Sequence, residues 1–124
     1  MEDGRIEDSQ ITASSVFPDG GGWTYSVTNA RLNRLGGRNI GGGWSARHNN
    51  LNQWIQVDLI VSRLISGIVL QGRDDTSNRD QWVTKYKVQY SDDGSSLMTV
   101  KDTVQQVDKV RSLSYKYELL MREN

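Results

Sequence analysis

The chain has no cysteine and only one proline, one histidine and one phenylalanine among its 124 residues. Without cysteine, neither a disulfide framework nor a thiolate metal site can form. The formal net charge is zero, so no overall field attracts nucleic acid or an anionic membrane. No stretch approaches the roughly 20 apolar residues that cross a bilayer. The length fits one domain with a single small core.

Catalysis is limited by the single histidine, His48. A Ser-His-Asp triad would have to use it, and no Gly-x-Ser-x-Gly nucleophile elbow is present. The carboxylate pairs Asp74/Asp75 and Asp92/Asp93 lie in polar loop and turn sequence. Solvent is expected to leave their pKa values ordinary there. We therefore predict that the protein is not an enzyme.

Cofactor motifs are also missing. The glycine-rich residues 36–41 lack the Lys-Ser/Thr of a P-loop and the spacing of a dinucleotide fingerprint. Residues 74–78 resemble the start of a calcium loop, but Arg79 replaces the turn glycine and Lys85 the closing carboxylate. No cofactor is predicted, and a calcium ion bound by loop carbonyls is left open.

What the chain does contain is a series of short segments typical of strands. Ile55, Val57 and Leu59 alternate with polar residues, and the same period recurs from residue 82 to residue 90. The predicted strands are residues 11–17, 54–59, 64–71, 82–90 and 97–101. Glycine-rich or polar loops separate them, and residues 92–94 signal a tight turn. This pattern favours an antiparallel sandwich or barrel. Residues 107–120 fit both a strand and a helix, and aromatic enrichment favours the strand.

Several motifs, in a fixed order, carry a resemblance to a known family. They are Ile11-Thr12-Ala13-Ser14-Ser15, Gly43-Trp44, Gln53-Trp54-Ile55-Gln56-Val57-Asp58-Leu59, Gln71-Gly72-Arg73 and Trp82-Val83-Thr84-Lys85-Tyr86. The chain resembles the discoidin domain, also called the coagulation factor V/VIII type C domain. The resemblance covers residues 1–102 and implies an all-β antiparallel jelly-roll of the galactose-binding type. Residues 103–124 are interpreted as a divergent tail that adds a closing strand or a helix.

Three departures from the family pattern affect stability. Ser45 stands where many relatives have cysteine, Leu97 stands where they have tryptophan, and no closing strands are recognised after Asp102. An incomplete jelly-roll exposes strand edges, which invite self-association. We predict marginal stability. Three tryptophans border predicted strands and are expected to pack in the core: Trp44, Trp54 and Trp82.

In the discoidin family, loops project as spikes from one end and bind the ligand. Here the first spike loop is residues 17–25, the second is residues 34–43 and the third is residues 73–81. The polar third loop favours a carbohydrate or extracellular protein ligand, with flat aromatic rings and directed hydrogen bonds. The predicted ligand-binding residues are Trp23 and Tyr25 for stacking, Asp75 and Arg79 for polar contacts, and Arg38 and His48 for the groove wall.

Two alternatives remain open at this point. The first is a peripheral binder of phosphatidylserine membranes that inserts Phe17, Trp23 and Ile40. The second is a truncated isoform or fragment that binds nothing. The resemblance implies an extracellular or cell-surface location, whereas the opening Met1-Glu2-Asp3-Gly4 lacks the apolar region of a signal peptide.

Overall fold

The computed structural model describes residues 4–18, 24–37, 39–65, 68–73, 81–83, 85–100, 113–114 and 116–122. Most regular secondary structure in these residues is strand, and the two helices described are short 3₁₀ helices, Asp8–Gln10 and Val27–Ala30. The seven strands are β1 (Ile11–Ala13), β2 (Ile55–Val57), β3 (Leu64–Ile65), β4 (Lys85–Ser91), β5 (Met98–Thr99), β6 (Leu113–Ser114) and β7 (Lys116–Arg122). Every strand pair is antiparallel. The all-β antiparallel class predicted from the sequence is confirmed.

The strands form one large sheet and one small one. The large sheet has the order β1-β2-β7-β4-β5, and β3 pairs with β6 in a separate two-stranded sheet. Leu119 in β7 lies opposite Ile55 on one side and opposite Val88 on the other. The tail, for which strand and helix were both open, thus supplies the middle strand of the sheet. The described residues do not close into a barrel.

Strands β1 and β3 are shorter than predicted. Strand β1 ends at Ala13 rather than continuing to residue 17. At the next position the Ser14 hydroxyl accepts a 3.0 Å hydrogen bond from the Trp54 backbone N–H, which replaces a bond of the ladder. Residues 68–71, predicted to extend β3, are not in a strand, and β3 itself is Leu64–Ile65.

The described core is small and centres on β1 and β2. Ile11 and Ile55 are each only 3% exposed, and the register places them beside Val57 and Ala13. Trp44 and Trp54 are half-buried. The expectation for Trp82 was wrong, since its side chain is 63% exposed. It lies at the base of the third spike loop, before β4 begins, and belongs to none of the described strands.

The apolar face of the large sheet is only partly covered. An open cavity of about 1110 Å³ lies against β2, with Ile55, Val57, Leu59, Ile65 and Val83 among its apolar lining residues. A closely packed sandwich would fill such a space with side chains from its second layer. The described side chains beside β2 therefore leave space that a closely packed core would fill.

A tight turn follows β4, as the Asp92-Asp93-Gly94 sequence predicted, and leads to β5. The Asp93 carboxylate accepts hydrogen bonds from the backbone N–H groups of Ser96 and Ser95, at 2.9 and 2.8 Å, and from the Ser91 hydroxyl at 2.7 Å. Gly94 has φ +74°, which glycine adopts without strain. The donors, with the Ser96 and Ser95 amides foremost, hold the pKa of Asp93 well below its ordinary value. The expectation of an ordinary pKa was therefore wrong for Asp93.

Candidate binding face formed by three spike loops

The first spike loop starts from a fixed position. The backbone N–H of Phe17 donates a 2.7 Å hydrogen bond to the carbonyl of Ser45. A second hydrogen bond joins the same two segments: the indole N–H of Trp44 donates to the carbonyl of Ser15 at 2.9 Å. These bonds join the end of the β1 segment to the segment that follows the second loop. The start of the first loop and the end of the second loop therefore lie side by side.

The second spike loop is a small hairpin that is paired with the first. Gly37 and Ile40 exchange backbone hydrogen bonds of 2.9 and 3.1 Å. The hairpin is bonded to the first loop as well: the N–H of Gly41 donates a hydrogen bond to the Thr24 carbonyl at 2.8 Å. In return, the Thr24 N–H donates to the Asn39 carbonyl at 3.0 Å. The two loops are thus joined by main-chain hydrogen bonds, and these bonds do not depend on which side chains the loop tips carry.

A buried amide supports this junction from below. Asn29 is buried, and its side-chain N–H donates to the Thr24 carbonyl at 3.2 Å. Ser26 caps the short helix that carries Asn29, and its hydroxyl accepts from Thr28. The Thr24 carbonyl therefore accepts hydrogen bonds from Asn29 and Gly41 together.

The third spike loop is closed at its base by a bridge between Arg73 and Gln81. The Arg73 N–H donates to the Gln81 carbonyl at 2.8 Å. Gly72 lies so close that a Cβ atom there would be 3.1 Å from the Gln81 carbonyl oxygen. Glycine at this position lets the two ends of the loop approach each other. Residues 74–80 lie outside the described residues.

The ring of Tyr25 lies where the three loops meet. Phe17 contacts it edge to face, with 5.6 Å between ring centroids and 84° between ring planes. The guanidinium carbon of Arg73 lies 5.7 Å from the Tyr25 centroid, within cation–π range. A Cβ atom on Gly41 would come within 2.7 Å of the Tyr25 Cδ1 atom. One side chain thus contacts a residue from each loop.

Apolar side chains project beside this cluster. Leu35 in the second loop is 72% exposed, and Phe17 is 46% exposed. Ile40 is half-buried and is held by its backbone bonds to Gly37. The exposed apolar surface of the described loops therefore belongs chiefly to Leu35 and Phe17.

Of the residues predicted to bind a ligand, the structure describes two. Tyr25 is half-buried at the junction, and His48 is exposed in the loop that precedes β2. The structure gives no contact between His48 and the Tyr25 cluster. Four more lie outside the described residues: Trp23, Arg38, Asp75 and Arg79. Of the residues proposed for membrane contact, Phe17 joins the cluster through its ring, and Ile40 belongs to the hairpin beside it.

Three residues of the junction were not singled out from the sequence. Gly41 is one of twelve glycines, and nothing in the local sequence distinguishes it. Arg73 appeared in a family motif and as the first residue of the third loop, and Asn29 was given no role. Their roles depend on contacts between distant parts of the chain. Only the Gln71-Gly72-Arg73 motif gave a signal that could have directed attention to this position.

Metal and membrane features were also sought. Among the residues that the structure describes, no three His, Asp or Glu side chains are grouped closely enough to hold a metal ion. In the same residues, no helix is both long and apolar enough to span a bilayer.

The chain is similar in sequence to domains of known proteins. The chain is 42% identical over 112 residues to mouse EGF-like repeat and discoidin I-like domain-containing protein 3, which covers 89% of the chain and 22% of that protein. It is 40% identical over 110 residues to mouse coagulation factor V, covering 89% of the chain and 5% of that protein. It is 42% identical over 93 residues to mouse retinoschisin, covering 75% of the chain and 39% of that protein. The chain thus spans well under half the length of each relative.

A family-wide comparison covers most of the chain. The F5/8 type C domain matches residues 10–117. This match continues past Asp102, where the resemblance recognised from the sequence ended, and it reaches into β7. The backbone bonds between the first and second spike loops and the bridge between Arg73 and Gln81 lie within the matched residues. The chain therefore belongs to the F5/8 type C, or discoidin, domain family.

Proposed function

We propose that this domain is a non-enzymatic binding module, extracellular or on the cell surface, that recognises a carbohydrate or protein through its spike loops. One observation carries the proposal. Tyr25 contacts Phe17, Gly41 and Arg73, so that the bases of all three loops adjoin at one end of the domain. Loops that are held together at their bases can present their tips to a single ligand.

The tips supply suitable chemistry for a polar ligand. Trp23 is proposed to stack on a sugar ring or a protein side chain. Asp75 is proposed to accept hydrogen bonds from the ligand and Arg79 to donate them, and Arg38 and His48 are proposed as further polar contacts. A few directed polar groups around a flat apolar surface are typical of small ligand sites.

Replacing Trp23 tests the proposal directly. Trp23→Ala should weaken binding on glycan arrays and extracellular-protein arrays, and the melting temperature should stay unchanged. Met98→Ala is a matched control, because Met98 is an exposed apolar residue near the opposite end of β4. A loss of binding that is accompanied by an equal loss of thermal stability would show that Trp23 is structural. An equal loss of binding in Met98→Ala would show that the spike loops are not the site.

A second candidate is peripheral binding to phosphatidylserine membranes by Phe17, Trp23 and Ile40. The exposure of Phe17 and of the neighbouring Leu35 favours it, since each buried CH₂ group contributes about 0.8 kcal/mol. Co-sedimentation with phosphatidylcholine vesicles, with and without phosphatidylserine, decides the matter. Membrane binding predicts stronger pelleting with phosphatidylserine and a loss of pelleting in Leu35→Asp. Equal pelleting with both lipids would contradict it.

A further inference from the structure

The contacts of Tyr25 have a consequence beyond the binding face itself. Each of its three neighbours belongs to a different part of the chain: Phe17 to the start of the first loop, Gly41 to the second loop and Arg73 to the start of the third. Tyr25 itself ends the first loop. A side chain in this position can transmit a displacement of one loop to the other two.

We propose that Tyr25 is a positioning residue that couples the three spike loops into one unit, with Gly41 as the position that admits its ring. This inference rests on the proposed function and deepens it. A ligand that contacts one loop would then meet two others already held in place, and the cost of ordering them would be lowered.

Gly41 supplies the steric part of the coupling. Its missing side chain leaves the space that the Tyr25 ring occupies, because an added Cβ would lie 2.7 Å from Cδ1 and 2.9 Å from Cε1. It would also lie 3.1 Å from the Thr24 carbonyl oxygen. Gly41 is not in the left-handed region, so the requirement is for space rather than for an unusual φ angle. An alanine here must displace the ring or open the bridge between the first two loops.

Arg73 supplies the electrostatic part. Its guanidinium lies near the negative face of the Tyr25 ring system, and its backbone closes the third loop by bonding to Gln81. The side-chain stem of Arg73 also runs beside Gly43, where a Cβ atom would be 3.7 Å away. Among the described residues, the Arg73 side chain thus links the third loop to the other two.

Hydrogen–deuterium exchange on the full chain tests the coupling without any ligand. In Tyr25→Leu, we expect exchange to rise about tenfold at the amides of Phe17, Gly41 and Arg73, given the size of aromatic and cation–π contacts. Tyr25→Phe keeps the ring and should restore slow exchange at all three. The amide of Asp58, which bonds to the Gln10 carbonyl between β1 and β2, should be unaffected.

The reciprocal variants act from the other loops. Arg73→Met keeps the stem but removes the cation, and should raise exchange at Gly41 roughly two- to fivefold. Gly41→Ala should raise exchange at Arg73, whereas Gly37→Ala should not. Gly37 is a matched control because it lies in the same hairpin and a Cβ atom there would meet nothing within 4 Å.

Each contrary result has a definite meaning. If Tyr25→Leu affects only Gly41 while Arg73 and Phe17 stay protected, the loops are independent and the proposal is wrong. If exchange also rises at Asp58, Tyr25 supports the whole domain rather than the loops, and the proposal is equally wrong. A failure to find any ligand on arrays or vesicles would overturn the proposed function and leave these exchange results intact.

Discussion

The hydroxyl of Ser14 donates a 2.9 Å hydrogen bond to the side-chain carbonyl of Gln53. The same carbonyl accepts from the Ser15 hydroxyl, and the Gln53 amide donates to Asn50 at 2.8 Å. Gln53 is buried, so these partners replace the water that its amide group would otherwise bind. The network joins the end of β1 to the loop that carries His48.

Gln53→Leu should lower the free energy of unfolding by about 1–3 kcal/mol, because it leaves polar partners unsatisfied in a partly buried site. Urea titration at neutral pH measures the change. Gln56→Leu is the matched control, because Gln56 lies on β2 and is only half-buried. We expect it to stay within about 0.5 kcal/mol of the parent. Equal effects of the two substitutions would contradict a special role for Gln53.

Ile55→Ala should lower the free energy of unfolding by about 2–5 kcal/mol, since Ile55 is one of the two buried hydrophobic residues in the described core. Chemical unfolding followed by near-ultraviolet circular dichroism measures it. Leu64→Ala, at an exposed position of β3, should have little effect. A small effect of Ile55→Ala would mean that the cavity beside β2 lets the site collapse around the missing atoms.

Ile60→Asn should stabilise the protein. Ile60 has φ +65° and is 68% exposed, and the left-handed region costs a residue with a Cβ about 1–2 kcal/mol, whereas Asn tolerates it. The N–H of residue 60 keeps its 2.7 Å bond to the Asp58 carboxylate. We expect a rise of about 1 kcal/mol, seen as a higher melting temperature. Val61→Asn makes the same change at an exposed neighbour without positive φ, and a similar rise there would refute the conformational explanation.

Asp93 should contribute stability that depends on pH. Its folded pKa lies below the value of about 4 expected when unfolded, so its contribution is complete above about pH 4 and is lost as pH falls toward the lowered folded value. Asp93→Asn keeps an acceptor oxygen but has no charge to titrate. Unfolding midpoints from pH 7 down to pH 2 should therefore converge for parent and variant. A constant difference across this range would contradict the assignment.

The sequence predicted those features that depend on neighbouring residues. Alternation from Ile55 to Leu59 located β2, and Asp92-Asp93-Gly94 located the turn after β4. The length of β1 was overestimated because the Ser14 hydroxyl competes with the backbone ladder, and the exposure of Trp82 follows from a loop base that no periodic pattern records.

The candidate binding face was predictable as a set of loops but not as a set of contacts. Family motifs placed the three spike loops in order, and Tyr25 was chosen for its ring. Its neighbours Gly41 and Arg73 come from sites 16 and 48 residues further along the chain (41 − 25 and 73 − 25). Whether Tyr25 contacts a ligand or the loops depends on a chain path that the sequence pattern does not specify. Gly41 matters only because that path brings the ring against it.

The central position of β7 affects when this protein can fold during synthesis. Strands β1 and β2 are synthesised first and pair with each other, and β4 and β5 form a second pair after them. Strand β7, which joins the two pairs, is missing until residues 116–122 have been translated. Until then the growing chain presents two open strand edges, which are prone to pair with other chains. The large sheet therefore cannot be completed before β7, the last of its strands along the chain, is available.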